Sequence, residues 1–336
     1  MLREKMRKNS SVTEFVILGF SNNPDMNLIL FVVFLCIYIV TVLGNILIIV
    51  VIYVNLTLHT PMYFFLRNLS FLDLCYTSVT LPKMLVNLLS ENKNISFSSC
   101  AIQMFFFLFF GITECFLLAS MAYDRYNAIC SPLRYTAIMN KRVCIQLTGG
   151  SWICGMLVAM GHTTSVFTLP FCGSNVINHF FCDIQPVLKL VCWNTYWIEI
   201  QIIVGAAFAL MMPLFLSLVS YICIISTILR IRSTEGRHRA FSTCSSHLIV
   251  VTLCYGTAFI IYVRPKSSYG MGVDKFFSLF YSVGIALLNP IIYSFRNKEV
   301  KDALRKIAMK IFFKESDNFP SVNEPLRNIS QVASQP

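Results

Sequence analysis

The sequence predicts an all-α membrane protein, a seven-transmembrane helix bundle with its N-terminus outside and a short amphipathic helix after the seventh span. Of its 336 residues, 56% are hydrophobic and 13% are charged, whereas about a quarter of the residues in a soluble domain are charged. The apolar residues form blocks near the ~20 residues that a helix needs to cross a bilayer. They do not form the shorter alternating strands of a β-barrel.

Seven apolar blocks divide the chain. They cover residues 28–54, 61–89, 100–130, 143–169, 196–229, 240–263 and 273–295. The first block is too long for a signal-peptide core and follows a polar stretch without a cleavage-like pattern, so we interpret it as a retained span. The predicted organisation is an extracellular N-terminal tail (1–27), a transmembrane domain (28–295), an amphipathic juxtamembrane helix (296–314) and a disordered cytoplasmic tail (315–336).

Charge and cysteine positions orient these spans. Most of the 27 Lys and Arg residues fall on one side, which the positive-inside rule assigns to the cytoplasm, leaving the N-terminus outside. Cys100, Cys172, Cys182 and Cys192 then lie in the outer compartment, where disulfides persist. Four cysteines allow three pairings. A zinc site with His179 is a less favoured alternative, because the spacings match no common zinc pattern.

The same orientation places two glycosylation sequons outside, at Asn9 and Asn94. Asn9 is the expected acceptor, because Asn94 lies close to the predicted membrane surface. The net charge of +11 reflects basic residues that border the cytoplasmic helix ends, where anionic lipid lies. Membrane lipid is therefore an expected partner, and no nucleic-acid motif occurs.

Four polar side chains fall at similar depth inside the predicted spans, where ionisable groups are costly and mark functional positions. Asp73 and Glu114 lie about 16–18 Å above the cytoplasmic helix ends, at ~1.5 Å per residue, and Asn45 and Asn289 lie at comparable heights. Two carboxylates in one dry layer favour a bound sodium ion or a shared proton. A hydrogen-bonded cluster that only joins the helices is the alternative, and it is compatible with the first interpretation.

One inner face of the third block carries residues at three different depths in the membrane. Phe107, Glu114 and Arg125 are spaced so that each lies within about 20° of whole helical turns from the next. The other phenylalanines of this stretch are predicted to form a stripe that faces lipid: Phe105, Phe106, Phe109 and Phe110.

Apolar and basic residues after the last block follow helical spacing. The apolar members are Val300, Leu304, Ile307, Ala308, Ile311 and Phe312, opposite Lys301, Arg305, Lys306 and Lys310. The segment is too short and too charged to span a bilayer and predicts a helix lying on the inner leaflet.

Several motifs are similar to those of a known family. They are Gly44-Asn45, LHTPMYFFLRNLSFLDLC (58–75), MAYDRYNAICSPLRY (121–135), Ser220-Tyr221, RAFSTCSSH (239–247) and LNPIIYSFRN (288–297). In this order, over six of the seven spans, they resemble the motifs of rhodopsin-like G-protein-coupled receptors. LHTPMYFFL and FSTCSSH are specific to the olfactory (odorant) receptors within that family.

The resemblance implies a fold and a signalling role. The implied disulfides are Cys100–Cys182 and Cys172–Cys192. The implied function is an odorant receptor, without enzymatic activity or a cofactor, that activates a stimulatory, olfactory-type heterotrimeric G protein and raises cyclic AMP. The implied location is the plasma membrane of olfactory cilia. The residues implied in G-protein coupling and activation are Asp124, Arg125, Tyr126, Tyr221, Arg237, Arg239, His247, Asn289, Pro290 and Tyr293.

The resemblance also implies a ligand pocket. Amine receptors of this superfamily carry an aspartate where this chain has Phe107, and the seventh span lacks the lysine that would hold retinal. The expected lining is apolar with one hydroxyl: Phe107, Leu108, Gly111, Ile112, Gly205, Ala209, Ala258, Phe259 and Tyr262. Such a site suits a small, mostly apolar volatile molecule with at most one or two hydrogen-bonding groups.

Two positions depart from the family pattern. Asn127 stands where a small aliphatic residue usually follows Asp-Arg-Tyr, and we expect it to face the G protein or lipid headgroups. Arg239 replaces a lysine and keeps its charge.

Two alternative functions stay open. One is a receptor of the same build that senses a non-odorant metabolite in another tissue. The other, from a different class, is a membrane transporter, which predicts internal repeats with paired broken helices. The sequence shows no such duplication.

Overall fold

The computed structural model describes residues 12–20, 23–172, 174–262, 271–296 and 300–305. Its long helices are α1 (Pro24–Val54), α2 (Pro61–Leu89), α3 (Phe97–Cys130), α4 (Lys141–Phe167), α5 (Tyr196–Arg230) and α6 (Thr234–Tyr262). A further helix, α7, runs through Met271–Leu279, a π-helical turn at Phe280–Gly284, and Ile285–Arg296. The short elements are the 3₁₀ turns Leu56–Leu58 and Pro132–Arg134 and the helices Tyr135–Ile138 and Ile184–Leu188.

Side-chain caps explain why three helices begin before the predicted blocks. Asn23 accepts a hydrogen bond from the N–H of Asp25 at the start of α1, directly before Pro24. Ser96 and Asn140 cap α3 and α4 in the same way. Such residues satisfy backbone donors that would otherwise be unpaired, and proline is well suited to the first helical position. The helices therefore extend past the apolar blocks to their nearest polar cap.

Five helical stretches of the described chain are long enough and apolar enough to cross a membrane. These are α1, α3, α4, α5 and residues Lys275–Tyr293 of α7. In α6 the apolar part is shorter, Cys244–Ile260. Together with α2, these helices occupy the positions of all seven predicted blocks.

α3 is the central helix of the bundle. It packs against α2, α4, α5 and α6, and 72% of its apolar window is buried, against 28% for α1 and α4 and 22% for α5. The outer faces of α1, α4 and α5 expose many large apolar side chains. Such continuous apolar surface is stable in lipid and costly in water.

The predicted lipid-facing stripe of α3 is wrong in part. Phe109 and Phe110 contact the indole of Trp152 on α4, with ring centroids 5.4 Å and 6.2 Å apart, and Phe110 is only 7% exposed. The reason is the close approach of α4, which Gly155 permits. A Cβ atom at Gly155 would lie 2.9 Å from the carbonyl oxygen of Phe109.

A small sheet covers one end of the bundle, here called the sheet end. Strand β1 (Glu14–Ile17) pairs antiparallel with β2 (Asn94–Ser96) and parallel with β3 (Val176–Ile177). Part of the predicted N-terminal tail is therefore built into the fold. The opposite end of the bundle is called the Arg125 end.

Two disulfides hold the loop between α4 and α5 at the sheet end. Cys100 and Cys182 are bonded with their Cα atoms 5.5 Å apart, and Cys172 and Cys192 with theirs 5.6 Å apart. The four cysteines are thus used in disulfides and not in a zinc site with His179. Within the described chain, no group of three or more His, Cys, Asp or Glu side chains could hold a metal ion.

The amphipathic helix predicted after α7 is described only at residues 300–305, which are helical. Val300 and Ala303 are buried, whereas Lys301 and Arg305 are exposed. The rest of the predicted segment, like Asn9, lies outside the described residues.

Candidate functional site

A cavity of about 50 Å³ lies inside the bundle near the sheet end. Its walls come from α2, α3, α4, α5 and α7 and from the short helix Ile184–Leu188. The lining residues are Tyr76, Phe107, Leu108, Gly111, Ile112, Cys115, His162, Ile184, Ile202, Ala206, Ala209, Leu210 and Tyr281. This volume holds only a few water molecules, so an organic ligand would have to displace side chains.

Five of the residues predicted to line a pocket lie on this cavity: Phe107, Leu108, Gly111, Ile112 and Ala209. The other four are placed differently. Gly205 lies against the ring of His162, and Ala258 is buried without lining the cavity. Phe259 is 52% exposed on the outer surface of α6, and the side chain of Tyr262 lies outside the described set.

The sequence did not predict three polar residues of the lining, His162, Tyr76 and Tyr281. His162 is an ionisable residue in a predicted span, which is itself a signal of function. Tyr76 and Tyr281 come from α2 and α7 and meet beside α3, with ring centroids 6.1 Å apart. The hydroxyl of Tyr281 donates a hydrogen bond to the carbonyl of Gly111 at 3.4 Å. No local pattern could predict this convergence, because it depends on how three helices pack.

The loop between α4 and α5 packs against the wall of the cavity at the sheet end. The rings of Phe107 and Phe181 are 4.4 Å apart, and those of Phe107 and Tyr76 are 5.2 Å apart. The N–H of Cys182 donates to Oε1 of Gln103 at 3.0 Å. Together with the Cys100–Cys182 disulfide, these contacts fix the loop to α3 next to the lining residue Phe107.

Two titratable groups of this loop are buried. Burial raises the pKa of Asp183 to about 6, and the hydrogen bond from the N–H of Ile184, at 2.7 Å, offsets part of that rise. Burial lowers the pKa of His179 to about 3, and the positive charge of Lys275 adds to this effect. At neutral pH the imidazole of His179 is therefore uncharged.

The four predicted mid-bundle polar residues are all buried. Nδ2 of Asn289 donates to Oδ2 of Asp73 at 2.9 Å, and Nδ2 of Asn45 donates to the carbonyl of Ala286 at 3.2 Å. Oδ1 of Asp73, Oδ1 of Asn289 and Oε1 of Glu114 have no hydrogen-bond partner in the described structure. Hydrogen bonds thus join α2 and α1 to α7 here, and several oxygens keep the capacity to accept a proton or a cation.

A charge pair lies at the opposite end of α3. Nε of Arg125 donates to Oδ2 of Asp124 at 2.9 Å, and its terminal nitrogen also contacts that oxygen. The hydroxyl of Tyr135 donates to the other carboxylate oxygen at 2.8 Å. Burial raises the pKa of Tyr135, and the charge of Asp124 raises it further. Arg125 is only 9% exposed, so its guanidinium is held by Asp124 and sheltered from solvent.

The other residues predicted for coupling fall into distinct groups. Tyr221 and His247 contact each other, and Tyr293 is buried nearby in α7 with no partner for its hydroxyl among the described residues. Pro290 is buried against Gly44 of α1. Tyr126 is half-buried and Arg237 is exposed, while the side chain of Arg239 lies outside the described set.

The expected exposure of Asn127 is wrong. Its side chain is only 3% exposed, and its amide donates to the carbonyl of Tyr123 on the same helix at 2.8 Å. Asn127 therefore faces neither solvent nor lipid headgroups.

A bundle of long apolar helices that expose apolar outer faces and enclose an internal cavity indicates a multi-pass membrane protein. Comparison with known proteins gives the family. The family model described as olfactory receptor matches residues 34–311. Human olfactory receptor 10C1 is 58% identical over 301 residues, which cover 90% of this chain and 96% of that protein.

Two further relatives agree. Human olfactory receptor 10A7 is 53% identical over 93% of this chain and 98% of its own length. Mouse olfactory receptor 8U3 is 54% identical over 88% of this chain and 93% of its own length. The chain belongs to the olfactory receptor family, whose members are G-protein-coupled receptors and not enzymes.

Proposed function

We propose that the chain is an odorant receptor of seven membrane-spanning helices with its N-terminus outside. It binds a small, mostly apolar volatile molecule inside the bundle and activates a stimulatory, olfactory-type heterotrimeric G protein, which raises cyclic AMP. The observation that carries the proposal is the position of the cavity on α3, the same helix that bears Arg125 at its other end.

The cavity supports binding of a small apolar molecule. Its lining is mainly aliphatic and aromatic, and no Lys, Arg, Asp or Glu is among the lining residues of the described chain. Transfer of apolar surface into such a site is favourable, whereas an isolated charge would lose its hydration without a partner. At the sheet end, Phe181 packs on the lining residue Phe107.

The helix contacts supply a route from ligand to G protein. From Phe107 to Arg125 the rise along α3 is about 27 Å at ~1.5 Å per residue. A ligand shifts the equilibrium between two arrangements only if it binds one of them better. In the proposed mechanism the ligand favours an arrangement in which α5 and α6 separate and Arg125 leaves Asp124. The C-terminal segment of the G protein then occupies the opened Arg125 end.

The buried polar layer lies between the two sites on α3. We propose that Asp73 and Glu114 share a proton or bind a sodium ion in the resting state. The amide oxygen of Asn289 would be a further ligand of the ion or a further hydrogen-bond acceptor. The unpartnered oxygens of these groups support this assignment. The protein resides in the plasma membrane of olfactory cilia, with the basic segment 296–314 on anionic lipid and Asn9 carrying the glycan.

The test is a cyclic AMP reporter assay in cells that express the epitope-tagged receptor, against a chemically broad odorant panel. We expect at least one odorant to raise cyclic AMP, and Arg125→Ala to abolish the response without loss of surface expression. Arg134→Ala removes an exposed guanidinium nearby and serves as the control. A response that survives in Arg125→Ala would refute the coupling role, and no response to any odorant would refute the ligand class.

A further inference from the structure

We propose that His162 is the hydrogen-bonding anchor of the cavity and that the ligand carries one neutral oxygen function, a carbonyl or a hydroxyl group, on a compact apolar skeleton. This inference rests on the proposed function, because it uses the same cavity. It adds the residue that selects the ligand and the chemical class that is selected.

The position of His162 is unusual for a polar side chain. It lies on α4, lines the cavity and is only 5% exposed. Its Nδ1 atom has no hydrogen-bond partner within the described structure. Buried polar atoms of native proteins are nearly always paired, so an unpaired atom on a residue that lines the cavity points to a partner that the ligand would supply.

Gly205 of α5 provides the space in which the imidazole lies. A Cβ atom at this position would be 2.4 Å from both Cε1 and Nε2 of His162. Any larger residue would push the ring away from α5. The neighbouring residues Ile202, Ala206 and Ala209 line the cavity, so the ring is seated at the wall where α4 and α5 meet.

The remaining polar groups of the cavity narrow the class of ligand. The hydroxyls of Tyr281 and Tyr76 lie together at Gly111, where Tyr281 donates to the carbonyl, and the rest of the lining is mainly apolar. A neutral imidazole offers one donor and one acceptor and can adopt either tautomer. It can therefore donate to a carbonyl or accept from an alcohol. An acid anion or an ammonium ion would lack a countercharge, and a hydrocarbon would leave Nδ1 unpaired.

Ligand binding to the purified full-length receptor in lipid nanodiscs tests the inference, with the shift in unfolding temperature as the readout. The probes are heptane, cyclohexane and bornane; their carbonyl forms heptanal, cyclohexanone and camphor; their alcohols heptanol, cyclohexanol and borneol; and the anions heptanoate and cyclohexanecarboxylate. We expect at least one carbonyl or alcohol to stabilise the receptor more than its hydrocarbon or its acid. Equal stabilisation by the hydrocarbon, or none by any oxygenated probe, would overturn the proposal.

Variants then test the residue. His162→Phe keeps an aromatic ring but removes the hydrogen bond, so we expect about a tenfold loss of affinity for the oxygenated probe and little change for its hydrocarbon. Gly205→Ala, which displaces the imidazole, should show the same loss. Gly161→Ala is the control, because an added Cβ there meets nothing within 4 Å. Unchanged preference for the oxygenated probe in both His162→Phe and Gly205→Ala would overturn the anchor role.

The same experiment separates the two proposals. A probe that stabilises the wild type in a His162-dependent way but never raises cyclic AMP would refute the signalling function and leave the anchor standing. Cyclic AMP responses to carbonyl and alcohol odorants that are identical in wild type and His162→Phe would leave the function standing and refute the anchor.

Discussion

The hydroxyl of Tyr221 lies 2.6 Å from Nδ1 of His247, and this hydrogen bond joins α5 to α6 at the Arg125 end. Both side chains are buried, and their rings stack with centroids 5.8 Å apart. In the same structure Arg125 is held by Asp124. The contact therefore belongs to the same arrangement as the Arg125–Asp124 pair, which the proposed function assigns to the resting receptor.

Tyr221→Phe should raise the basal activity of the receptor. The change keeps the stacked rings and removes a hydrogen bond that contributes about 0.5–1.5 kcal/mol to the resting arrangement. We expect basal cyclic AMP, measured at equal surface expression, to rise by a factor of about 2–10. Basal activity at or below the wild-type level would show that the bond does not hold the resting state.

Gly155→Val should destabilise the bundle. A Cβ at this position would lie 2.1 Å from Oγ1 of Thr113 and 2.9 Å from the carbonyl of Phe109, so α4 would have to move away from α3. Overpacking of this kind costs about 1–3 kcal/mol, and we expect a lower unfolding temperature and weaker surface expression. Gly150→Val is the matched control on the same helix, because an added Cβ there meets nothing within 4 Å; equal losses in both variants would contradict the explanation.

Cys100→Ser and Cys182→Ser should damage the receptor equally, and the double variant should be no worse than either alone. The reason is that each substitution removes the same disulfide, and effects on one shared contact are not additive. Surface expression and odorant response measure the effect. Cys36→Ser, at an exposed free cysteine, should leave both unchanged, and clear additivity of the first two would argue against the bond.

The stability of the sheet end should depend on the protonation of Asp183. Its pKa is 3.8 in an unfolded chain and about 6 in the fold, so the folded state binds the proton more tightly. The favourable contribution of Asp183 to the free energy of unfolding is present below about pH 4 and is lost as the pH rises through about 6. Asp183→Asn should therefore raise the unfolding temperature at about pH 7.5 and have little effect at about pH 4.

His179 contributes to the pH dependence of folding stability with the opposite sign, over an overlapping pH range. Its folded pKa of about 3 lies below the ordinary value of 6.5, so the fold is penalised as the pH falls from about 6.5 toward 3. For this reason the wild type and Asp183→Asn have to be compared in a His179→Gln background as well. A difference in unfolding temperature between the wild type and Asp183→Asn that does not change with pH would refute the assignment.

Features with a strong local signal could be predicted from the sequence. The inner face of α3 follows from helical period alone, and Phe107, Glu114 and Arg125 are all buried. The mid-bundle layer of Asp73 and Asn289 follows from depth along each helix. In both cases the prediction depends only on the position of each residue along its own helix, and this position can be counted from the sequence.

Features that depend on contacts between helices could not be predicted. His162 reaches the cavity only because Gly205 lies opposite it on α5. Phe110 is buried because α4 approaches α3 at Gly155, and Phe259 lies on the outer side of α6. For Asn127, the side chain bonds to its own helix, and nothing in its neighbours in sequence indicates this.

The strand near the N-terminus has a consequence for biosynthesis. β1 pairs with residues of β3 about 160 positions later in the chain, and Nζ of Lys275 binds the carbonyl of Gly19 at 2.8 Å and Oδ1 of Asn178 at 2.9 Å. Contacts of such long sequence separation form slowly. The contacts of Lys275 with Gly19 and Asn178 can therefore form only after α7 has been made. Until then Gly19 and Asn178 lack this link to α7, and β1 is held at the sheet end by its pairing with β2 and β3.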